Sequence, residues 1–159
     1  VKNIFLIWMI SFGILSTAQV WSADMKPHEP GPGDKCPVCG MFVAKYPSWF
    51  ASISFKAAPE VFFDGPKDMF TYYLNLKKYN PSQSATTIMA IHVKDYYSLK
   101  EIDARKALYV IGSAVHGPMG NELVPLEKAA DAKAFMHDHN GKRLLRFDQI
   151  NRDVMKAIQ

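Results

Sequence analysis

Cysteine is scarce in this chain: 159 residues hold two, Cys36 and Cys39, separated by two residues. That scarcity removes the usual closed zinc site, which draws on two Cys-x-x-Cys pairs or on one pair plus two histidines three to five residues apart. No second cysteine pair exists, and His137 and His139 stand only two apart. Charge of one sign is also lacking. The formal net charge of +4 is not gathered into a block, and runs such as Lys77-Lys78 and Lys142-Arg143 are short and mixed. Nucleic-acid binders carry a basic patch or stripe, so no nucleic-acid partner is expected. No Ser-His-Asp order, no glycine-rich phosphate loop and no acid/base pair among Asp64, Asp68, Asp95, Glu101 and Asp103 stands out. Asp64 and Asp68 flank a predicted helix start, where carboxylates suit the helix dipole. The chain does not read as an enzyme.

A long apolar run is missing as well. Lys2 precedes an apolar stretch from Ile4 to Leu15 that carries Ser11 and Gly13, and small residues follow at Ser16-Thr17-Ala18 and Ser22-Ala23. A membrane span needs about 20 apolar residues. The pattern is that of a secretory signal peptide, with cleavage after Ala18 or Ser22. Residues 1–23 are therefore expected to be a signal peptide or an uncleaved N-terminal anchor. Residues 24–34, with Pro30-Gly31-Pro32-Gly33, read as a stiffened linker. Residues 35–159 remain for the folded domain.

Within that domain, alternation over 49–55 and the short run 60–63 predict a strand pair joined by a turn over 56–59. Asp64-Gly65-Pro66 opens a helix in which Met69, Phe70, Tyr73, Leu74 and Leu76 recur at helical spacing, closing at Asn80-Pro81. Strands are expected over 86–93, 107–111 and 144–147, a second helix over 126–139, and a final helix capped by Asp148 and running to Ile158. This order predicts an α+β fold of two ββαβ-like halves with small antiparallel sheets.

What the chain does contain is concentrated sulfur. Cys36-Pro37-Val38-Cys39-Gly40-Met41 places two thiols and a thioether within six residues, and soft donors select soft ions, above all Cu(I). Gly40 permits a tight turn that could set Met41 beside the thiols; equally, Met41 reads as a core filler preceding Phe42 and Val43. Met119 lies in the turn Val115-His116-Gly117-Pro118-Met119-Gly120, either as a binding residue on a loop or as a side chain folded over a sheet edge. His116 offers an imidazole beside it, or a solvated surface group. His137 and His139 suit a helix C-terminus, His92 a strand, and Met25 and His28 the linker. The metal-ligand candidates are Cys36, Cys39, Met41, Met119 and His116.

Two other readings stand beside metal binding. Export places the cysteines in an oxidising compartment, where a two-residue spacing suits a thiol-disulfide oxidoreductase. Such a motif wants a strand before it and a helix after it; here a linker precedes, and Gly40 and Pro47 oppose a helix. A structural staple is the other reading, although a bridge across so short a loop adds little stability.

The segments Lys35-Cys36-Pro37-Val38-Cys39-Gly40-Met41-Phe42-Val43 and Phe62-Phe63-Asp64-Gly65-Pro66-Lys67-Asp68-Met69-Phe70 resemble the NosL family of nitrous oxide reductase accessory proteins. So do Val93-Lys94-Asp95-Tyr96, Ile102-Asp103-Ala104, Ala107-Leu108-Tyr109-Val110, Gly112-Ser113 through Gly117-Pro118-Met119-Gly120, and Leu145-Arg146-Phe147-Asp148-Gln149-Ile150. The resemblance runs from Asp34 to Ile150. It implies a periplasmic Cu(I) metallochaperone that delivers copper for the copper sites of nitrous oxide reductase. It also implies a ββαβ-type α+β fold and, as partners, a membrane ABC transporter complex of the maturation machinery and the reductase itself. Carried over by position, the implied metal site is the Cys36/Cys39/Met41 segment with Met119. Family members are typically lipoproteins, whereas this sequence has no cysteine before Cys36; tethering by the N-terminal segment or free diffusion is then expected.

Overall fold

The structure, a computed structural model, describes residues 29–159. The expected signal segment and most of the expected linker lie outside the described residues. The elements in order are β1 (Ala51–Phe55), β2 (Ala58–Phe63), α1 (Pro66–Leu74), α2 (Leu76–Tyr79), β3 (Ile88–Lys94), β4 (Glu101–Asp103), β5 (Leu108–Ile111), β6 (His116–Gly117), β7 (Gly120–Asn121), β8 (Val124–Leu126), α3 (Ala129–Asp138), β9 (Arg143–Arg146) and α4 (Arg152–Ala157).

The chain adopts the expected α+β class, and the two halves are visible in the pairing. One sheet runs β2-β1-β3-β4 and a second runs β8-β5-β9, all neighbours antiparallel. In each half the first strand is flanked by the next strand of its own sheet, β2 or β8, and by the strand that follows the helix, β3 or β9. β1 is central for a physical reason: Ala51, Ser52, Ile53 and Phe55 are all buried, so both faces of the strand are covered. Phe70 of α1 meets Tyr109 of β5 edge to face at 5.2 Å and joins the halves through one core. A smaller cluster of Val110, Val124, Leu126, Ala132 and Phe135 lies under α3.

Several boundaries differ from expectation. The β1–β2 turn is shorter, because Phe55 already pairs with Ala58. The predicted single helix to Asn80 breaks at Asn75, whose side-chain amide donates to the Thr71 carbonyl at 2.9 Å, a local bond that competes with helix continuation. The second helix starts at Ala129 and not at 126, and Leu126 ends a short strand, β8. Pro125 is tolerated there because β8 is an edge strand. The cap of α4 is Asn151, not Asp148: its side chain accepts from the Asp153 and Val154 N–H groups at 3.0 Å each. β4, only three residues long, has too little alternation to show in sequence.

Candidate metal centre

Residues 35–42 form a closed loop. Lys35 pairs with Phe42, the Cys36 N–H bonds the Met41 carbonyl at 2.9 Å, and the Gly40 N–H bonds the Cys36 carbonyl at 2.9 Å. Gly40 takes φ of +81°, a left-handed conformation that a side chain would strain. This curl aims backbone donors at sulfur: the N–H groups of Val38 and Cys39 face the Cys36 thiol, and that of Met41 faces the Cys39 thiol. Such donors favour a thiolate. Cys36 is buried at 1% exposure, Cys39 is half-buried, and neither is in a disulfide.

The β2–α1 junction brings carboxylates to the same point. Asp64 follows the last residue of β2, and Pro66 starts α1 at the position where its missing N–H is not needed. Asp68 then falls in the first turn. The Cys36 thiol donates to Asp68 Oδ2 and the Cys39 thiol to Asp64 Oδ1, each at 3.2 Å. One ligand atom from each of Cys36, Cys39, Asp64 and Asp68 lies within 4.8 Å of all the others. Asp64 is fully buried, yet its Oδ2 has no hydrogen-bond partner. Buried polar atoms nearly always have one, so this oxygen asks for a cation.

Burial raises the Cys39 thiol to about 12 and the Cys36 thiol further, with the neighbouring carboxylates adding to the effect against the backbone donors. Burial also raises Asp68. The metal-free pocket therefore keeps its protons on sulfur. Reactive cysteines sit in electropositive surroundings that lower their pKa; here burial and two acids outweigh the backbone donors and hold both thiols protonated.

The remaining candidates are placed as follows. Met41 Sδ accepts from the Tyr46 hydroxyl at 3.5 Å, so its side chain is turned to that ring. Met119 sits at the tip of the β6–β7 hairpin at 42% exposure, with its carbonyl bonded by the Lys67 ammonium. Lys67 belongs to the first turn of α1. The hairpin and the cysteine loop therefore both lie against the start of that one helix. His116 is exposed and pairs with Asn121 across the hairpin. His139 packs on Phe135 at 4.4 Å, His137 bonds Asp138, and His92 stands in β3 opposite Asp103.

Asp64 and Asp68 are the residues that the sequence reading left out of the site, having assigned them to the helix dipole. The available signal was an acid directly after Val61-Phe62-Phe63, with a second acid four residues on across Pro66. That spacing sets both carboxylates at the mouth of one helix, and the preceding apolar strand makes them buried.

Two thiols and two carboxylates gathered at one helix start, in an α+β protein of two linked ββαβ units, form a cluster of mixed sulfur and oxygen donors that could hold a metal ion. A NosL family model matches residues 27–155, and the chain belongs to the NosL family. It is 40% identical over 55 residues to the copper-binding lipoprotein NosL of Stutzerimonas stutzeri. That match covers 35% of this chain and 28% of the relative's length. The crystal structure of the copper chaperone NosL from Shewanella denitrificans superposes with a TM-score of 0.69 at 25% identity, covering 80% of this chain and 97% of that one. The solution structure of apo-NosL from Achromobacter cycloclastes gives a TM-score of 0.47 at 30% identity, over 66% of this chain and 87% of the other.

Proposed function

We propose that this protein is a copper chaperone: it binds Cu(I) at the mouth of α1 and passes it on for assembly of the copper sites of nitrous oxide reductase. The observation that carries metal binding is the four-donor pocket with the unpartnered Asp64 Oδ2 inside it. The soft ion and its transfer rest on sulfur. Cys39, the more accessible thiol, and Met119, an exposed residue whose carbonyl is held by Lys67 of the same helix start, would as sulfur ligands leave Cu(I) low-coordinate. An acceptor adds its own donor to such an ion and draws it away, with no covalent step. The names of the relatives support copper as the cargo. Acceptance by a membrane transporter complex, or by the reductase directly, and a periplasmic location extend the same reading; one relative is named a lipoprotein. Among the described residues no helix is long and apolar enough to cross a membrane.

The two carboxylates favour a second reading of the inner pocket. Hard oxygen donors are poor partners for Cu(I), whereas two thiolates and two carboxylates make a four-coordinate set suited to Zn(II). Metal analysis and X-ray absorption at the copper and zinc edges decide between them. For reduced protein loaded with Cu(I), the expected result is copper with sulfur neighbours, and affinity against a competing chelator reduced in Met119→Ala. Copper with only nitrogen and oxygen neighbours would overturn the chaperone reading. Zinc retained on two sulfurs and two oxygens, with no copper bound, would establish the second.

A further inference from the structure

The β6–β7 hairpin is held by very little of its own. It pairs with neither main sheet, and its two strands are two residues each. A two-stranded ribbon so short has no independent stability. Its position must come from elsewhere, and the contacts converge on one side chain.

Glu122, the residue directly after β7, is buried at 3% exposure. Its Oε1 accepts the Lys67 N–H at 2.6 Å and its own neighbour's N–H, from Leu123, at 2.9 Å. The carboxylate thus caps a free N–H in the first turn of α1, where helix amides lack internal partners. Two glycines make room for it. A methyl group at Gly65 would lie 2.6 Å from Glu122 Oε2, and one at Gly117 would lie 2.9 Å from both Glu122 Cγ and Oε2. The Lys67 ammonium adds a bond from the same turn to the Met119 carbonyl.

We infer that Glu122 is a positioning residue: its carboxyl group, seated between Gly65 and Gly117, latches the Met119 hairpin to the start of α1 and so fixes the thioether beside the cysteine–aspartate pocket. The inference rests on the proposed reading of Met119 as a copper ligand. A buried carboxyl group serving only to fill space would be an expensive choice; this one spans the two segments that the copper site needs together.

The test is Cu(I) competition against bicinchoninate on the reduced chain, for Met119→Ala, Glu122→Ala, Glu122→Gln and the double variant Met119→Ala/Glu122→Ala. Loss of a residue that orients a metal ligand lowers affinity by about 10- to 100-fold. Met119→Ala and Glu122→Ala are expected to lose affinity by similar factors of that size. The double variant should lose no more than Met119→Ala alone. Glu122→Gln, which keeps an acceptor oxygen for the Lys67 N–H, should restore most of the binding. Additive losses in the double variant would assign Glu122 a merely structural role and overturn the inference. If Glu122→Ala fails to fold, Gly117→Ala decides: its added methyl displaces the carboxylate, and unchanged affinity there overturns the latch. Failure of the underlying reading looks different, because Met119→Ala itself would then bind Cu(I) like the parent.

Discussion

Replacing Asp64 by asparagine should move stability in opposite directions with and without metal. Asp64 Oδ1 accepts from the Cys39 thiol at 3.2 Å, while the fully buried Oδ2 accepts from nothing. Asparagine is nearly isosteric. It preserves an oxygen for Cys39 and turns the orphan acceptor into an NH2 donor, with the Asp68 carboxylate in the same cluster as its acceptor. An unmet buried polar atom costs about 1–3 kcal/mol, and more when charged. The metal-free Asp64→Asn protein should gain that amount. For a domain of this size, about 3–5 °C of Tm per kcal/mol makes the gain about 3–15 °C.

With metal the sign inverts. A ligand that binds only the folded state stabilises it by RT ln(1 + [L]/Kd), so a 100-fold loss of affinity removes about 2.7 kcal/mol at saturation. The assay is thermal unfolding followed by circular dichroism, first with chelator and reductant, then with one equivalent of Cu(I) and, separately, of Zn(II). The variant should melt above the parent in chelator and below it with the ion that occupies the pocket. A metal-free variant less stable than the parent would refute the reasoning, since the carboxylate would then be earning its place through contacts within the protein.

Metal binding should release one proton near pH 7 for each thiol that ligates the ion, one for a Cys39–Met119 site and two for the inner pocket, because burial holds the Cys39 thiol at about 12 and Cys36 higher. Calorimetry in buffers of different ionisation enthalpy counts them, and apparent affinity should rise about 10-fold per pH unit for a one-proton exchange and about 100-fold for a two-proton exchange. Asp95 should behave in the opposite way to Asp64. Burial opposes its charge, but the N–H groups of Ser98 and Glu127 and the Ser98 hydroxyl outweigh that and hold it below the ordinary carboxylate range. Its contribution is present above the unfolded-state pKa and is lost as pH falls through the folded-state value. Asp95→Asn should therefore cost about 1–3 kcal/mol at pH 7 and flatten the acid limb of a urea-unfolding series, whatever the metal content.

Much of this was legible in the chain because local chemistry decided it. Pro66 after Gly65 announced a helix start, and the Cys36–Met41 curl was written in Pro37 and Gly40. The alternation around Ile53 and the β-branched apolar run around Ile91 marked strands that proved central. What stayed hidden depended on partners distant in sequence. Leu126 reads as the first residue of a helix until β5 supplies the ladder of Val124–Leu126. Asp64 and Asp68 read as helix-start acids until a loop about 30 residues upstream covers them with thiols. Asn75 looked like an ordinary helix residue; only the bond to the Thr71 carbonyl reveals the break. Glu122 gave no sign of burial at all in a polar turn, because the glycines that admit it lie on separate segments.

The two halves provide their own control. In each, an acid follows the strand that leads into the helix, Asp64 after β2 and Glu127 after β8, and a second acid stands third in the helix, Asp68 in α1 and Asp131 in α3. At each junction an upstream loop makes contact: the cysteine loop at the first, and the segment beginning at Asp95 at the second. At the second junction the upstream loop bonds to backbone. Asp95 takes the Glu127 N–H at 2.8 Å, the Tyr96 N–H bonds the Pro125 carbonyl at 2.9 Å, and Glu127 itself is exposed to water. At the first junction the acids are buried, they meet thiols in place of amides, and one oxygen is left without a donor. The shared architecture does not require that difference, because its second copy forms the same strand-to-helix turn without sulfur and without an orphaned carboxylate. Burying such groups opposes folding by amounts comparable to a large share of a domain's net stability. A cation at their centre would offset those penalties, and the thiol hydrogen bonds to Asp64 Oδ1 and Asp68 Oδ2 leave Asp64 Oδ2 without a donor.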